Sequence, residues 1–280
     1  MVLVGSSDSG GFLGKCSGVL IHPRLVITAG HCVCARRPPT AHDTAARGKA
    51  GATSGPAREG RPIQRVAVLQ GVELTGIIDT KSACVEDAEV FTASYASTPA
   101  RAPQERKPLP YHGKVQVHPG LELIFGRRSG AEQVMWSNAD LAAILLDQPI
   151  SLQMPRIALA DAEVQVGDLI TLVGFGPGTL TPTYGFRHFG DNKVNRLIPL
   201  ETGSAVFRAE EQQLSDGSAA SHAQPGDSGG ACIKKGDKNV LVGITTVGAE
   251  KPAGGHMSVF TSIYSHRSWL RQMLQKADES

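Results

Sequence analysis

Val19-Leu20-Ile21-His22-Pro23-Arg24-Leu25-Val26-Ile27-Thr28-Ala29-Gly30-His31-Cys32 is the stretch on which the fold is decided. Two short runs rich in β-branched residues, 19–21 and 25–27, flank His22-Pro23-Arg24 and read as strand, turn and returning strand. The second run closes on small residues that present an imidazole, His31, at a strand end. Outward from there, strand-like segments recur at 63–69, 76–78, 90–93, 114–118, 141–146, 169–174, 240–247 and 259–263. Turn residues separate them, and no 3.6-residue period is sustained between them. Many short strands at such spacing favour an all-β antiparallel barrel or sandwich over alternating strands and helices. The end of the chain is the exception. Trp269, Leu270, Met273 and Leu274 share one face of an amphipathic C-terminal helix expected over about 265–276.

Composition narrows the function classes. The 280 residues carry 28 Lys and Arg against 26 Asp and Glu, a net charge of +2, too balanced to imply nucleic-acid binding through charge alone. The longest wholly apolar run, Leu141 to Leu146, is far short of the ~20 residues a membrane helix needs, so the chain reads as soluble with no membrane partner. Met1-Val2-Leu3-Val4-Gly5 lacks the basic start and apolar core of a secretory signal. That leaves secretion after removal of a signal, or a cytoplasmic processing role, as the open alternatives. From Ala35 to Pro62 scarcely a side chain larger than Ala is apolar, and the stretch reads as a mobile insertion. Its charges are Arg36, Arg37, Arg47, Lys49, Arg58 and Arg61 against Asp43 and Glu59, which would suit an acidic partner.

Three segments carry chemistry. His31 ends its strand; Asp140 stands at the entrance of the apolar run 141–146; and Pro225-Gly226-Asp227-Ser228-Gly229-Gly230 frames a serine with glycines. A serine hydroxyl becomes a competent nucleophile only when a base within about 3 Å takes its proton and a third group holds that base in the right tautomer. Each segment alone could be a turn, a cap or a hydrogen-bonded structural residue. Together, in the order His, Asp, Ser, they supply all three roles. A metal reading of His31-Cys32-Val33-Cys34 lacks a second ligand pair at suitable spacing, so no metal and no cofactor is expected.

At these residues the sequence resembles the trypsin/chymotrypsin family of serine endopeptidases. The segments 12–21, Val117-His118-Pro119-Gly120, Val173-Gly174-Phe175-Gly176 and the Trp269 helix resemble family landmarks in the same order. The resemblance implies a single peptidase domain over 1–280 built of two antiparallel six-stranded β-barrels, about 1–150 and 151–264. It also implies an active site between the barrels, a protein or peptide substrate, and the C-terminal helix. It makes Ser228 the nucleophile, His31 the general base and Asp140 the orienting carboxylate, with the backbone N–H groups of Gly226 and Ser228 as the oxyanion hole. Thr246, Val247 and Gly248 fall where the family pairs with the substrate main chain, with Thr246 in place of the usual serine.

Specificity departs from the family pattern. His222 stands where basic-specific members carry an aspartate, and with His256 it would favour an acidic or polar residue before the scissile bond. Gln224 stands where a cysteine is expected. The family's N-terminal ammonium partner for Asp227 is matched only loosely by Leu3-Val4-Gly5-Ser6, so an internal partner for Asp227 is the alternative. The resemblance pairs Cys16 with Cys32. A second bridge between Cys34 and Cys84 would close the insertion and leave Cys232, the odd fifth cysteine, unpaired. A reading from another class also stays open, a catalytically silent binding module on the same scaffold.

Overall fold

The computed structural model describes residues 1–5, 16–45, 62–92, 109–128, 130–150, 157–178, 184–236, 239–250 and 254–280. The first half runs through β1 (Val2–Gly5), β2 (Cys16–His22), β3 (Leu25–Thr28), a 3₁₀ turn at Gly30–Cys32, α1 (Ala41–Ala45) and α2 (Arg65–Leu69). It continues as β4 (Glu73–Asp79), β5 (Asp87–Thr92), β6 (Leu109–Val117), β7 (Glu122–Arg128), β8 (Ala131–Asn138) and β9 (Ala142–Leu146). The second half contains β10 (Ala158–Leu159), β11 (Leu169–Gly174), β12 (His188–Lys193), β13 (Arg196–Pro199) and β14 (Ala205–Glu210). After these come β15 (Ala231–Lys234), β16 (Val240–Glu250), β17 (His256–Ser262), a 3₁₀ turn at Tyr264–His266 and α3 (Arg267–Glu279).

The all-β, trypsin-like architecture read from the sequence is the one observed. β1-β2-β3-β9-β6-β5 close into a six-stranded barrel, and β12-β11-β15-β16-β17-β14-β13 form a second, curled sheet that stays open, with β10 pairing β16. β4, β7 and β8 stand apart as a three-stranded sheet. The strands form where the sequence allows one or two faces to be buried. In β11 exposure alternates, with Ile170 fully buried and Leu169 at the surface, the signature of a strand with one face on the core. β3 is buried at all four positions because α3 packs against it and against β9 from outside the barrel. Trp269, Leu270 and Met273 form the buried face of α3, as their spacing predicts, and each such side chain contributes about 1.5–3 kcal/mol on burial.

Two details differ from the sequence reading. The segment 63–69, expected as a strand, contains helix α2. Val68 N–H donates to the Gln64 carbonyl, while Leu69 packs with Ile124 and Trp136, so tertiary packing overrides the β-branched composition. The helix begins at Arg267 rather than 265, after the 3₁₀ turn, and runs to Glu279. Of the expected insertion, residues 46–61 lie outside the described residues. Arg36 and Arg37, two of its six basic residues, are already engaged internally. Arg36 forms a two-bond pair with Glu132 and lies over Phe125, and Arg37 is held by Asp43 and Asp79.

Both expected bridges are present, Cys16–Cys32 and Cys34–Cys84, and Cys232 is a buried free thiol. The second bridge spans 50 residues, which on the chain-entropy model corresponds to about 4 kcal/mol.

Candidate active site

His31 sits in the 3₁₀ turn that follows β3, and the Cys16–Cys32 bridge ties that turn to β2. Ala139, immediately before Asp140, has a φ of 47°, a left-handed conformation that costs a non-glycine residue about 1–2 kcal/mol. The strain is stored in the bend that brings Asp140 to the histidine. Asp140 is fully buried; its Oδ1 accepts the His31 backbone N–H at 2.9 Å and its Oδ2 lies 2.7 Å from His31 Nδ1. This two-point contact fixes the ring and places its proton on Nδ1, which leaves Nε2 as the free base. Burial by itself pulls the imidazolium pKa down, but the charge and hydrogen bond of Asp140 outweigh it and the net shift of His31 is upward.

Ser228 is the second residue of the second of two successive tight turns. Asp227 N–H donates to the Gln224 carbonyl and Gly230 N–H to the Asp227 carbonyl, and each turn carries a positive-φ glycine at its third position, Gly226 at 103° and Gly229 at 78°. That is the type II pattern, which needs glycine there. The carbonyls of Gly226 and Ser228 are taken by Ser17, the first through its hydroxyl at 2.8 Å and the second through its backbone N–H at 2.7 Å. Ser17 Oγ also accepts the Phe175 N–H at 3.0 Å. The N–H groups of Gly226 and Ser228 have no hydrogen-bond partner among the described residues. The turn abuts the strand that leads to His31: a Cβ on Gly229 would lie 2.2 Å from Thr28 Oγ1 and 3.0 Å from Ala29 N. Among the described residues no hydrogen bond joins Ser228 Oγ to His31 Nε2; such contacts are often long until substrate binds.

Asp227 has an internal partner set. Its two oxygens accept the backbone N–H groups of Gly176 and Gln224, each at 2.8 Å, while Val2–Gly5 is committed to the first barrel between β2 and β5. Burial raises the Asp227 pKa, opposed by those two N–H bonds. A cavity of about 670 Å³ lies beside it, with His188, Glu211 and His222 among its walls.

The expected specificity residues divide into two groups. His222 and His256 are brought together, stacked at 3.9 Å with planes 7° apart, and His222 Nε2 lies 2.6 Å from Gln224 Nε2. Burial, then the neighbouring His256, moves the His222 pKa down. Thr246 falls at a bulge in β16 and its buried hydroxyl pairs with Thr261 at 3.0 Å. Ala223 N–H donates to Ser258 Oγ, and the Ala223 carbonyl lies against Gly248, 2.3 Å from where a Cβ would stand. Val247 borders a second cavity of about 300 Å³ between β8 and the outer face of the second sheet.

Cys16, Cys32 and His31 cluster closely enough to hold an ion, but the two sulfurs are bonded to each other and offer no thiolate. No described helix is long and apolar enough to cross a membrane. Ser17 was not singled out in the sequence as a site residue; the signal available was a polar residue between Cys16 and Gly18 in an otherwise apolar strand.

This arrangement of barrel, curled sheet and paired His and Asp defines the class. The sequence profile of the trypsin family matches residues 3–118 and 80–270, and the chain belongs to that family. Its fold is similar to that of mouse neuropsin, a serine protease expressed in the limbic system of the brain. The TM-score is 0.55 at 16% identity, over 97% of this chain and 93% of that one. A search of curated protein sequences returned no match.

Proposed function

We propose that this protein is a serine endopeptidase in which Ser228, His31 and Asp140 act as one unit. The observation that carries the reading is the buried Asp140 carboxylate gripping both the backbone N–H and the Nδ1 of His31, which leaves Nε2 as a free basic nitrogen. In the first step Ser228 Oγ bonds to the scissile carbonyl carbon as its proton passes to His31 Nε2. The oxygen that becomes negative accepts from Gly226 N–H and Ser228 N–H, donors of a kind worth about 2.7–4 kcal/mol each in the transition state. His31 then gives the proton to the leaving nitrogen, the C–N bond breaks, and water activated by the same imidazole releases the acyl group. The substrate main chain would pair with Thr246–Gly248.

In place of a carboxylate at position 222 the chain offers stacked histidines, which favour an acidic or polar residue before the scissile bond; strict cleavage after Lys or Arg would count against this. A protein or peptide is the substrate class. The nucleophile is tested by a fluorophosphonate probe: labelling is expected in the wild type and lost in Ser228→Ala, and undiminished labelling of that variant refutes the assignment.

A second reading, a catalytically silent binding module, is favoured by one observation. Ala223 packs directly on Gly248, so that no substrate side chain fits between them without movement of the 222–225 segment.

A further inference from the structure

We propose that the groove between β8 and the outer face of the second sheet is a substrate subsite for an acidic side chain, with Arg208 as its specificity-determining residue. This rests on the peptidase reading, because it takes the substrate to run along Thr246–Gly248. The groove encloses about 300 Å³, and Thr246, Val247 and Ala249 of β16 form part of its wall. Most of the remaining wall is apolar, including Ile198, Leu200, Val206, Met257 and Val259.

Besides Thr246 and Gln133, two polar groups interrupt it. Alternation along β14 turns Phe207 and Ala209 into the core and leaves Arg208 on the groove side with Val206. Arg208 forms no ion pair among the described residues, and its buried Nε has no hydrogen-bond partner. No carboxylate lines the groove among the described residues. Directly across the β13·β14 ladder stands Arg196, a like-charge pairing that weakens a sheet. Burial and then Arg196 pull the Arg208 pKa down, with Glu210 opposing. The second polar group is Ser137 Oγ, at a residue only 9% exposed, also without a partner.

A partly desolvated guanidinium that faces a like charge across the ladder and has no ion pair among the described residues is costly, and a donor left unpaired adds to the cost. A carboxylate arriving on a short apolar stem would pair with the guanidinium, while the apolar walls take its flanking residues. Ser137 lies three residues before Asp140, and Val247 belongs to the strand that takes the substrate main chain. The groove therefore serves the acyl side of the scissile bond, where an Asp or Glu would sit among the second to fourth residues before the cut.

The test holds the residue before the cut constant and compares Glu with Gln at each of the three preceding positions, as a ratio of kcat/KM. One position is expected to favour Glu by about tenfold or more, the scale of one hydrogen bond to a charged group. Arg208→Gln should bring that ratio close to unity and Arg208→Glu should shift preference to Lys; because two substrates are compared on one enzyme, a general loss of activity cancels. Arg208→Lys, which keeps the charge, should retain part of the preference and guards against a variant that fails to fold. If the wild type forms no acyl-enzyme, it is the peptidase reading that fails. The groove is then tested alone, by fluorescence anisotropy of a labelled Glu-containing peptide on Ser228→Ala with and without Arg208→Gln, where loss of affinity in the double variant supports it. A ratio near unity at all three positions in the wild type, a preference that survives Arg208→Gln, or equal affinity of the two Ser228→Ala proteins overturns it.

Discussion

At Asp140 a single carboxylate does two separable things. It holds the His31 ring through two contacts, and its charge raises the His31 pKa against the opposing effect of burial. In the proposed mechanism His31 must be neutral to act as the base, so kcat/KM should rise with pH through a midpoint above the ordinary histidine value of about 6.5. Asp140→Asn removes the charge and the correct tautomer together. It should lower kcat by about 10⁴, the scale seen when the equivalent carboxylate of a triad of this family is replaced by an amide. It should also move the acidic limb of the pH profile downward; a limb that stays in place would mean that Asp140 does not set the His31 pKa. Ser17 is the residue that the sequence did not disclose. It holds two carbonyls of the serine loop and so fixes the peptide planes that carry the Asp227 and Gly229 N–H groups on either side of Ser228, a role that depends on a contact between residues 209 positions apart. No local pattern announces such a contact.

At the scale of elements, α3 is fastened to the first barrel through a small aromatic and imidazole cluster. His118 packs edge-on against both His266 and Trp269, and burial drives the pKa of His118 down to about 4 and that of His266 to about 3. Both are therefore neutral in the folded protein while the unfolded chain takes up protons below about 6.5. Stability should be full above that pH and fall as pH drops from about 6.5 toward about 4, since the unfolded state binds more protons there. Urea denaturation at a series of pH values reads this, and His266→Gln should flatten the slope; an unchanged slope would place the dependence elsewhere. Elements were legible where short apolar runs lie between turn residues. β11 was read at its observed bounds because Leu169–Gly174 is such a run. β7 and β8 were missed because Glu122–Arg128 and Ala131–Asn138 mix charged and apolar residues without a clean alternation, and only their pairing with each other and with β4 makes them strands. The residues at 63–69 were β-branched enough to look like a strand, and only their packing on Trp136 and Ile124 shows otherwise.

At the scale of the whole molecule, the proposed site draws on pieces far apart in the chain. His31 and Asp140 come from the first half and the Ser228 loop from the second, with β2 bridging them through Ser17. The order of His, Asp and Ser and their small-residue settings were visible in the sequence, because nucleophilic chemistry constrains residue type. The resting position of Ala223 on Gly248 was not visible, because it is a matter of how one loop lies on one strand. That contact is also what makes turnover, rather than fold, the question to put to this protein. Rapid mixing with an activated ester answers it most directly. The account predicts a burst of leaving group, stoichiometric with protein, followed by slower steady turnover, with the acyl group recovered on Ser228 after acid quench. Linear release at the rate of the Ser228→Ala variant, with no acyl adduct, would contradict it.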